Sequence, residues 1–262
     1  MKTLNMSHHA GITTITLNRP DVHNAFNEDL MQDLYGAFTS LDVDDNVRAI
    51  VLTGAGKSFC AGGDLNYMKS AAAKTAQQNI DESLSMASLF KSIDQISKPV
   101  IGLVNGATFG GGVGLVSACD IVLAHESAIF SLSEVKLGLA PSVISPFVVA
   151  KIGQTHARRY FLTGERFDAN VARHIGLVSE VYTDVTRDTL LGSLVKNISS
   201  NGPHAMAAVK LLLRANRELS GEELTQFTAE QIAGLRAGPE AQEGMLAFFE
   251  KRPAVYVVKS FI

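Results

Sequence analysis

Backbone N–H groups with no side chain in the way can stabilise developing negative charge, and this sequence offers two places for them. The first is Ser58-Phe59-Cys60-Ala61-Gly62-Gly63-Asp64-Leu65, which joins a strand pattern to a helix pattern. Paired glycines let the backbone approach a ligand closely, and Asp64 stands where it can cap the following helix. The second is Asn105-Gly106-Ala107-Thr108-Phe109-Gly110-Gly111-Gly112-Val113-Gly114, where three consecutive glycines precede an apolar helix start. Unpaired donors and the helix dipole favour negative charge there. No Gly-Lys-Ser follows, so this is not a Walker loop. Each loop alone also reads as a tight connection with no ligand.

The acid–base candidate lies further on, in Phe130-Ser131-Leu132-Ser133-Glu134. Ser131 and Glu134 have capping-box spacing, which would make the carboxylate structural. Apolar neighbours imply partial burial, which raises a carboxyl pKa and suits a proton shuttle. The residues alone leave both readings of Glu134 open.

The elements around these segments read as α/β. Gly11 to Leu17 alternates apolar residues with Thr, as a strand does, and Asn18-Arg19-Pro20 turns the chain. Asn27 is an N-cap with Glu28 and Asp29 behind it, and Leu30, Leu34, Phe38 and Leu41 share one helical face. Val47 to Leu52, Val100 to Val104, Ile121 to Ala124 and Ala128 to Phe130 are predicted strands. A helix carrying Ile80, Leu84, Phe90 and Ile93 precedes the second of them. Together they suggest strand-strand-helix units without a strict period. From Ser145 onward the pattern is helical, with a cap at Asp168, a stop at Gly176 and one strand from Leu177 to Tyr182. His204 to Leu219 and Glu222 to Arg236 are predicted long helices, the first with Met206, Val209, Leu212 and Leu213 on one face.

Composition removes several function classes. A chain of 262 residues with formal charge −3 and no basic block is unsuited to nucleic acid, which needs clustered cations. Cys60 and Cys119 are too few for a disulfide framework and suit buried thiols in a reducing cytoplasm. The histidines show no metal-ligand spacing, and Met1 to Gly11 is too polar for a signal peptide. Val100 to Cys119 carries no charge over a span long enough for a bilayer, with Gly102, Gly106, Gly110 and Gly114 four apart. Asn105-Gly106 and the glycine triplet argue against one continuous helix. The stretch is expected to be a strand, a loop and a helix start in a soluble protein.

Taken in order and spacing, the three segments resemble the crotonase, or enoyl-CoA hydratase/isomerase, superfamily. Leu17-Asn18-Arg19-Pro20 with Asn24-Ala25-Phe26 looks like its opening motif, and Phe249-Glu250-Lys251-Arg252-Pro253 like its closing one. The resemblance implies a ββα spiral core over residues 1–200 and a helical assembly region over 201–262. It further implies a homotrimer or dimer of trimers, an acyl-CoA thioester substrate, and no cofactor beyond the coenzyme A of that substrate. By position, it gives Gly63 and Gly111 the two oxyanion-hole N–H groups and Glu134 the part of a catalytic glutamate. Ala61, Asp64 and Leu65 would line the ligand loop, and Val22 and His23 would lie near the coenzyme A chain. Gly114 stands where a standard hydratase carries its other glutamate, a departure shared with enoyl-CoA isomerases. The run from Glu134 to Pro146 looks closest to bacterial hydratases of branched glutaconyl-CoA thioesters, of the methylglutaconyl and isohexenylglutaconyl types in leucine and acyclic-terpene breakdown. The resemblance therefore implies a hydratase, with a Δ3,Δ2-enoyl-CoA isomerase or a non-catalytic binding protein as the alternatives.

Overall fold

The computed structural model describes residues 2–71 and 73–258. Ala10 and Gly11, both at positive φ, turn the chain between β1 (Leu4–His9) and β2 (Ile12–Leu17). The two pair antiparallel with Leu4 opposite Leu17, and β2 pairs parallel with β3 (Ala49–Gly54). From β3 the chain alternates between two sheets. The pairs are β3 with β4 (Ser58–Cys60), β5 (Val100–Val104) with β6 (Ala107–Phe109), and β7 (Ile121–His125) with β8 (Ile129–Ser131). They are followed by β9 (Arg166–Asp168) and β10 (Glu180–Tyr182). The first member of each pair extends a sheet ordered β1-β2-β3-β5-β7-β10, and the second extends a sheet ordered β4-β6-β8-β9.

Parallel neighbours need crossover connections, and helices supply them. α1 (Glu28–Asp42) leads from β2 to β3, and its cap is the predicted one, with Asn27 accepting from the Leu30 N–H. α2 (Leu65–Ala71) and α3 (Ala76–Gln95) follow β4, α4 (Gly111–Ala118) follows β6, and α5 (Ser145–Thr163) follows β8. The strand-strand-helix unit read from the sequence is therefore present, one strand of each pair going to each sheet. Val100 to Cys119 resolves into β5, β6 and α4, one strand more than the sequence suggested. Among the described residues no helix is long and apolar enough to cross a membrane.

Strand alternation explains the two cores. Ile50 and Leu52 of β3 face the main core with Phe38, Phe59, Phe90 and Phe130, while Ala49 and Val51 face a second cluster. That second layer holds Val195 and Ile198 of α7 (Arg187–Ser199), which follows α6 (Ala169–His174). The large sheet is thus covered on both faces, as parallel sheets are. α8 (Pro203–Glu218), α9 (Gly221–Ala237) and α10 (Pro239–Phe249) complete the chain. Lys210 of α8 donates to Asp120 Oδ2 at 2.6 Å and Lys98 O at 3.1 Å, tying this helix to the sheet. Met206 reaches the second core, but Val209 and Leu213 of the same predicted face remain exposed.

Candidate active site

In the smaller sheet β4, β6 and β8 are parallel neighbours, so their C-terminal ends open on one edge. Ligands of parallel sheets collect at that edge. Here it presents the loop after Cys60, the glycine triplet after Phe109, and the segment from Leu132 to Glu134. The three touch. Gly110 N–H donates to Ser131 O at 2.9 Å. Gly110 also holds φ 50° and ψ −118°, a left-handed conformation that favours glycine. A methyl group placed on it would lie 3.1 Å from Glu134 Oε1 and 3.8 Å from Gly62 Cα.

The two candidate donors are freed by ordinary geometry. Phe26 bridges Gly63 in parallel fashion, donating to Gly62 O at 2.7 Å and accepting from Asp64 N–H at 2.8 Å. Strand alternation then turns the Gly63 N–H to the other side. Gly111 is the first residue of α4, where no preceding turn offers a carbonyl. Among the described residues no acceptor takes either N–H.

Glu134 is not a cap. The segment Ser133–Leu137 is a 3-10 turn whose N-cap residue is Leu132, with no side-chain capping bond. Ser131 Oγ donates instead to Gly164 O at 3.2 Å, so the capping-box reading is overturned. The hydroxyl belongs to the end of β8, facing β9 and its turn rather than the helix start. Glu134 Oε2 is shut off from solvent and has no hydrogen-bond partner among the described residues. Burial pushes the carboxyl above its ordinary range, with its own backbone N–H pulling the other way.

One turn along α4 from Gly110 stands Gly114, whose N–H donates to Gly110 O at 3.2 Å. A methyl group here would lie 2.3 Å from Ile144 Cγ2 and 2.9 Å from Phe90 Cε1. Both side chains belong to the main core. The position is therefore sealed by hydrocarbon, and the wall beside Glu134 carries no second carboxylate from α4.

The remaining predicted site residues surround the first loop. Ala61 N–H donates to His23 O at 3.0 Å, and His23 Nδ1 lies 3.1 Å from Ser58 Oγ. Val22 and Leu65 are exposed beside them. Asp64 anchors the loop: Oδ1 accepts from the N–H groups of Asn66 and Tyr67, opening α2 as predicted, and Oδ2 pairs with Arg19 at 2.9 Å. Burial alone would raise its pKa, yet the Arg19 guanidinium and those two N–H groups hold it below the ordinary value. Arg19 also donates to Ala25 O, and Asn24 donates to Ala55 O and Ser58 O. In the sequence Arg19, Asn24 and Phe26 belong to a motif that by itself assigns them no task. Their task depends on pairings some 40 residues away, such as Arg19 with Asp64, which no local pattern announces. Both cysteines are buried, with their thiols pushed up to about 12 by desolvation, so neither is a nucleophile. A cleft of about 430 Å³ beyond Arg19 is bordered by Glu28, Asp29 and Asp64, an acidic setting unsuited to an anionic ligand.

Known proteins resemble this chain along almost its whole length. The family model described as Enoyl-CoA hydratase/isomerase matches residues 7–259. The crystal structure of an enoyl-CoA hydratase from Shewanella pealeana superposes with a TM-score of 0.93 at 38% identity, covering 97% of this chain and 95% of that one. The 2,3-dehydroadipyl-CoA hydratase of Escherichia coli is 31% identical over 256 residues, 96% of this chain and 97% of the relative. The mitochondrial Delta(3,5)-Delta(2,4)-dienoyl-CoA isomerase of Dictyostelium discoideum is 33% identical over 259 residues, 94% of this chain and 87% of the relative. With its two-sheet ββα core and its match along almost the whole length, the chain belongs to the enoyl-CoA hydratase/isomerase family, the crotonase superfamily.

Proposed function

We propose that this protein reversibly hydrates an α,β-unsaturated acyl-CoA, branched at the β carbon and of the glutaconyl type. The observation that carries the reading is the Glu134 carboxyl, with Oε1 beside Gly110 and Oε2 buried and without a partner among the described residues. A half-buried carboxyl held above its usual range by burial is a stronger base than an exposed one and suits taking and returning a proton. In the forward direction Glu134 removes a proton from water as the water oxygen bonds to the β carbon. The π electrons move to the thioester oxygen, where the N–H groups of Gly63 and Gly111 stabilise the enolate. Collapse of the enolate then takes the same proton from Glu134 to the α carbon. Water is consumed whole, and no cofactor enters.

A single carboxylate also suits a Δ3,Δ2-enoyl-CoA isomerase, and the apolar seal over Gly114 favours keeping that second reading. There Glu134 would move a proton from the α to the γ carbon through a dienolate held by the same two N–H groups. Turnover in H₂¹⁸O with a branched 2-enoyl-CoA separates the two. The expected product is a β-hydroxyacyl-CoA carrying the label. Absence of label with every 2-enoyl-CoA tested, alongside fast isomerisation of a 3-enoyl-CoA, would replace hydratase by isomerase.

Assembly as a homotrimer or a dimer of trimers belongs to the same reading, with residues 1–200 as the spiral core and 201–262 as the assembly region. Val209, Leu213, Ile232, Leu246, Phe248 and Phe249 of the three C-terminal helices are exposed in the single chain. Cyclic assembly would bury such a surface. Light scattering at micromolar concentration is expected to give three or six times the 28.0 kDa chain mass. A stable monomer would remove this element of the proposal.

A further inference from the structure

We infer that Phe26 is a positioning residue that sets the spacing of the two N–H donors, an inference resting on the donor roles of Gly63 and Gly111 proposed above. It touches both loops, one through its backbone and the other through its ring. Its backbone holds the first: N–H to Gly62 O at 2.7 Å and C=O from Asp64 N–H at 2.8 Å fix the peptide units on either side of Gly63. Its ring holds the second: a methyl group on Gly111 would lie 2.9 Å from both Cδ2 and Cε2, so the ring rests directly on the glycine backbone. Phe26 is 2% exposed and cannot swing away. Its ring packs edge-on against Phe90 at 6.1 Å, and Phe90 presses on the next turn of α4 at Gly114.

The chain before Phe26 is built to hold it. His23 and Asn24 are consecutive non-glycine residues in the left-handed region, at φ 53° and 55°. Such strain persists only where the surroundings over-determine it. They do so here through Asn24, which is fully buried, accepts from Arg19 N–H and donates to the carbonyls of Ala55 and Ser58, where β3 turns into β4. Arg19 then grips Ala25 O and Asp64 on either side of the bridge. A shift of the ring would move one donor relative to the other, and misplacement by about 1 Å can cost about 10²-fold in rate.

The test compares Phe26→Leu with Phe38→Leu, a fully buried phenylalanine of α1 in the same core. Both variants lose the same side-chain volume. The expected result is a fall in kcat of roughly 10–10²-fold for Phe26→Leu with affinity for a saturated acyl-CoA unchanged. Phe38→Leu should stay within about twofold, since it bears on stability alone. The Phe26→Leu/Gly111→Ala double variant should be faster than the product of the single losses, because the added methyl refills the space beside the backbone. If Phe26→Leu does not fold, Phe26→Met replaces it with the same criteria. A folded variant whose kcat matches that of Phe38→Leu overturns the inference. Should Gly111→Pro prove no slower than Gly111→Ala, the donor reading itself has failed; should it prove slower while Phe26→Leu is normal, only the role of Phe26 has.

Discussion

Glu134→Gln is expected to lower turnover by about 10²–10⁴-fold while leaving ground-state binding of an acyl-CoA largely intact. The substitution keeps the shape of the side chain and removes the group that exchanges a proton. A structural role predicts the opposite pattern, yet the carboxylate makes no capping bond and its Oε2 has no partner among the described residues to lose. Stability supplies an independent check. Folding raises the pKa of this carboxyl through burial, so the folded chain binds its proton more tightly than the unfolded chain. Stability is therefore lost as pH rises from the ordinary carboxyl value of 4.5 through the raised folded value, and the ionised group is a burden at neutral pH. Glu134→Gln should melt no lower than wild type at pH 7.5, with any advantage shrinking on acidification. The wild-type pH profile of kcat/KM should bend above the ordinary carboxylate range, and the glutamine variant should lack that bend. Unchanged turnover with a lowered melting point would return Glu134 to a structural part.

What the sequence could tell in advance follows from how local each cause is. Asn27 and Asp168 cap helices through their own following turns, and both caps are present. Val100 to Val104 is a strand because a run of apolar residues is buried on both faces. By contrast β1 has only Leu4 buried, so its polar run left no alternation to read. β4, β6 and β9 have three residues each, too short for any period. The sheet they form with β8 is nonetheless what gathers the site. The strand read from Leu177 forms only over Glu180–Tyr182, where it can pair with β7. The apolar face of α3 enters the core only at its C-terminal end. Phe90 and Ile93 are buried, whereas Ile80 and Leu84 are exposed in the single chain.

The site divides along the same line. Glycine pairs and triplets announce unhindered N–H groups, and these glycines do lie on neighbouring strand ends. Ser131 and Glu134 matched a capping box in spacing alone, because spacing does not reveal that Ser131 ends a strand and faces Gly164. The absence of a side chain at Gly114 was legible, but its cause was not. Ile144 and Phe90 arrive from 30 residues later and 24 residues earlier in the chain and fill the space together. A glutamate at 114 would thus have to displace two core side chains, so the departure from a two-carboxylate site is built into the packing rather than into one codon.

The second large effect concerns the donor at Gly111, and the packing dictates how it must be measured. Gly111→Pro deletes the N–H, and proline is well accepted at the first position of a helix, where that N–H has no intrahelical partner. It also adds carbon atoms where even a methyl would press on the Phe26 ring at 2.9 Å. A loss of activity in the proline variant alone would therefore mix a missing donor with a displaced ring. Gly111→Ala adds the same first carbon but keeps the N–H, so the ratio of the two variants isolates the donor more closely than either variant alone. The proline variant is expected to turn over about 10²–10³-fold more slowly than the alanine variant, the range found when one oxyanion donor is removed. Affinity for a saturated thioester should differ little between them, because the charge on the thioester oxygen develops only as the enolate forms. Circular dichroism and melting of both variants give the fold control, and each should lose some stability through the ring contact. Equal turnover in two folded variants would take Gly111 out of the oxyanion hole and leave the glycine triplet as a packing device for Phe26.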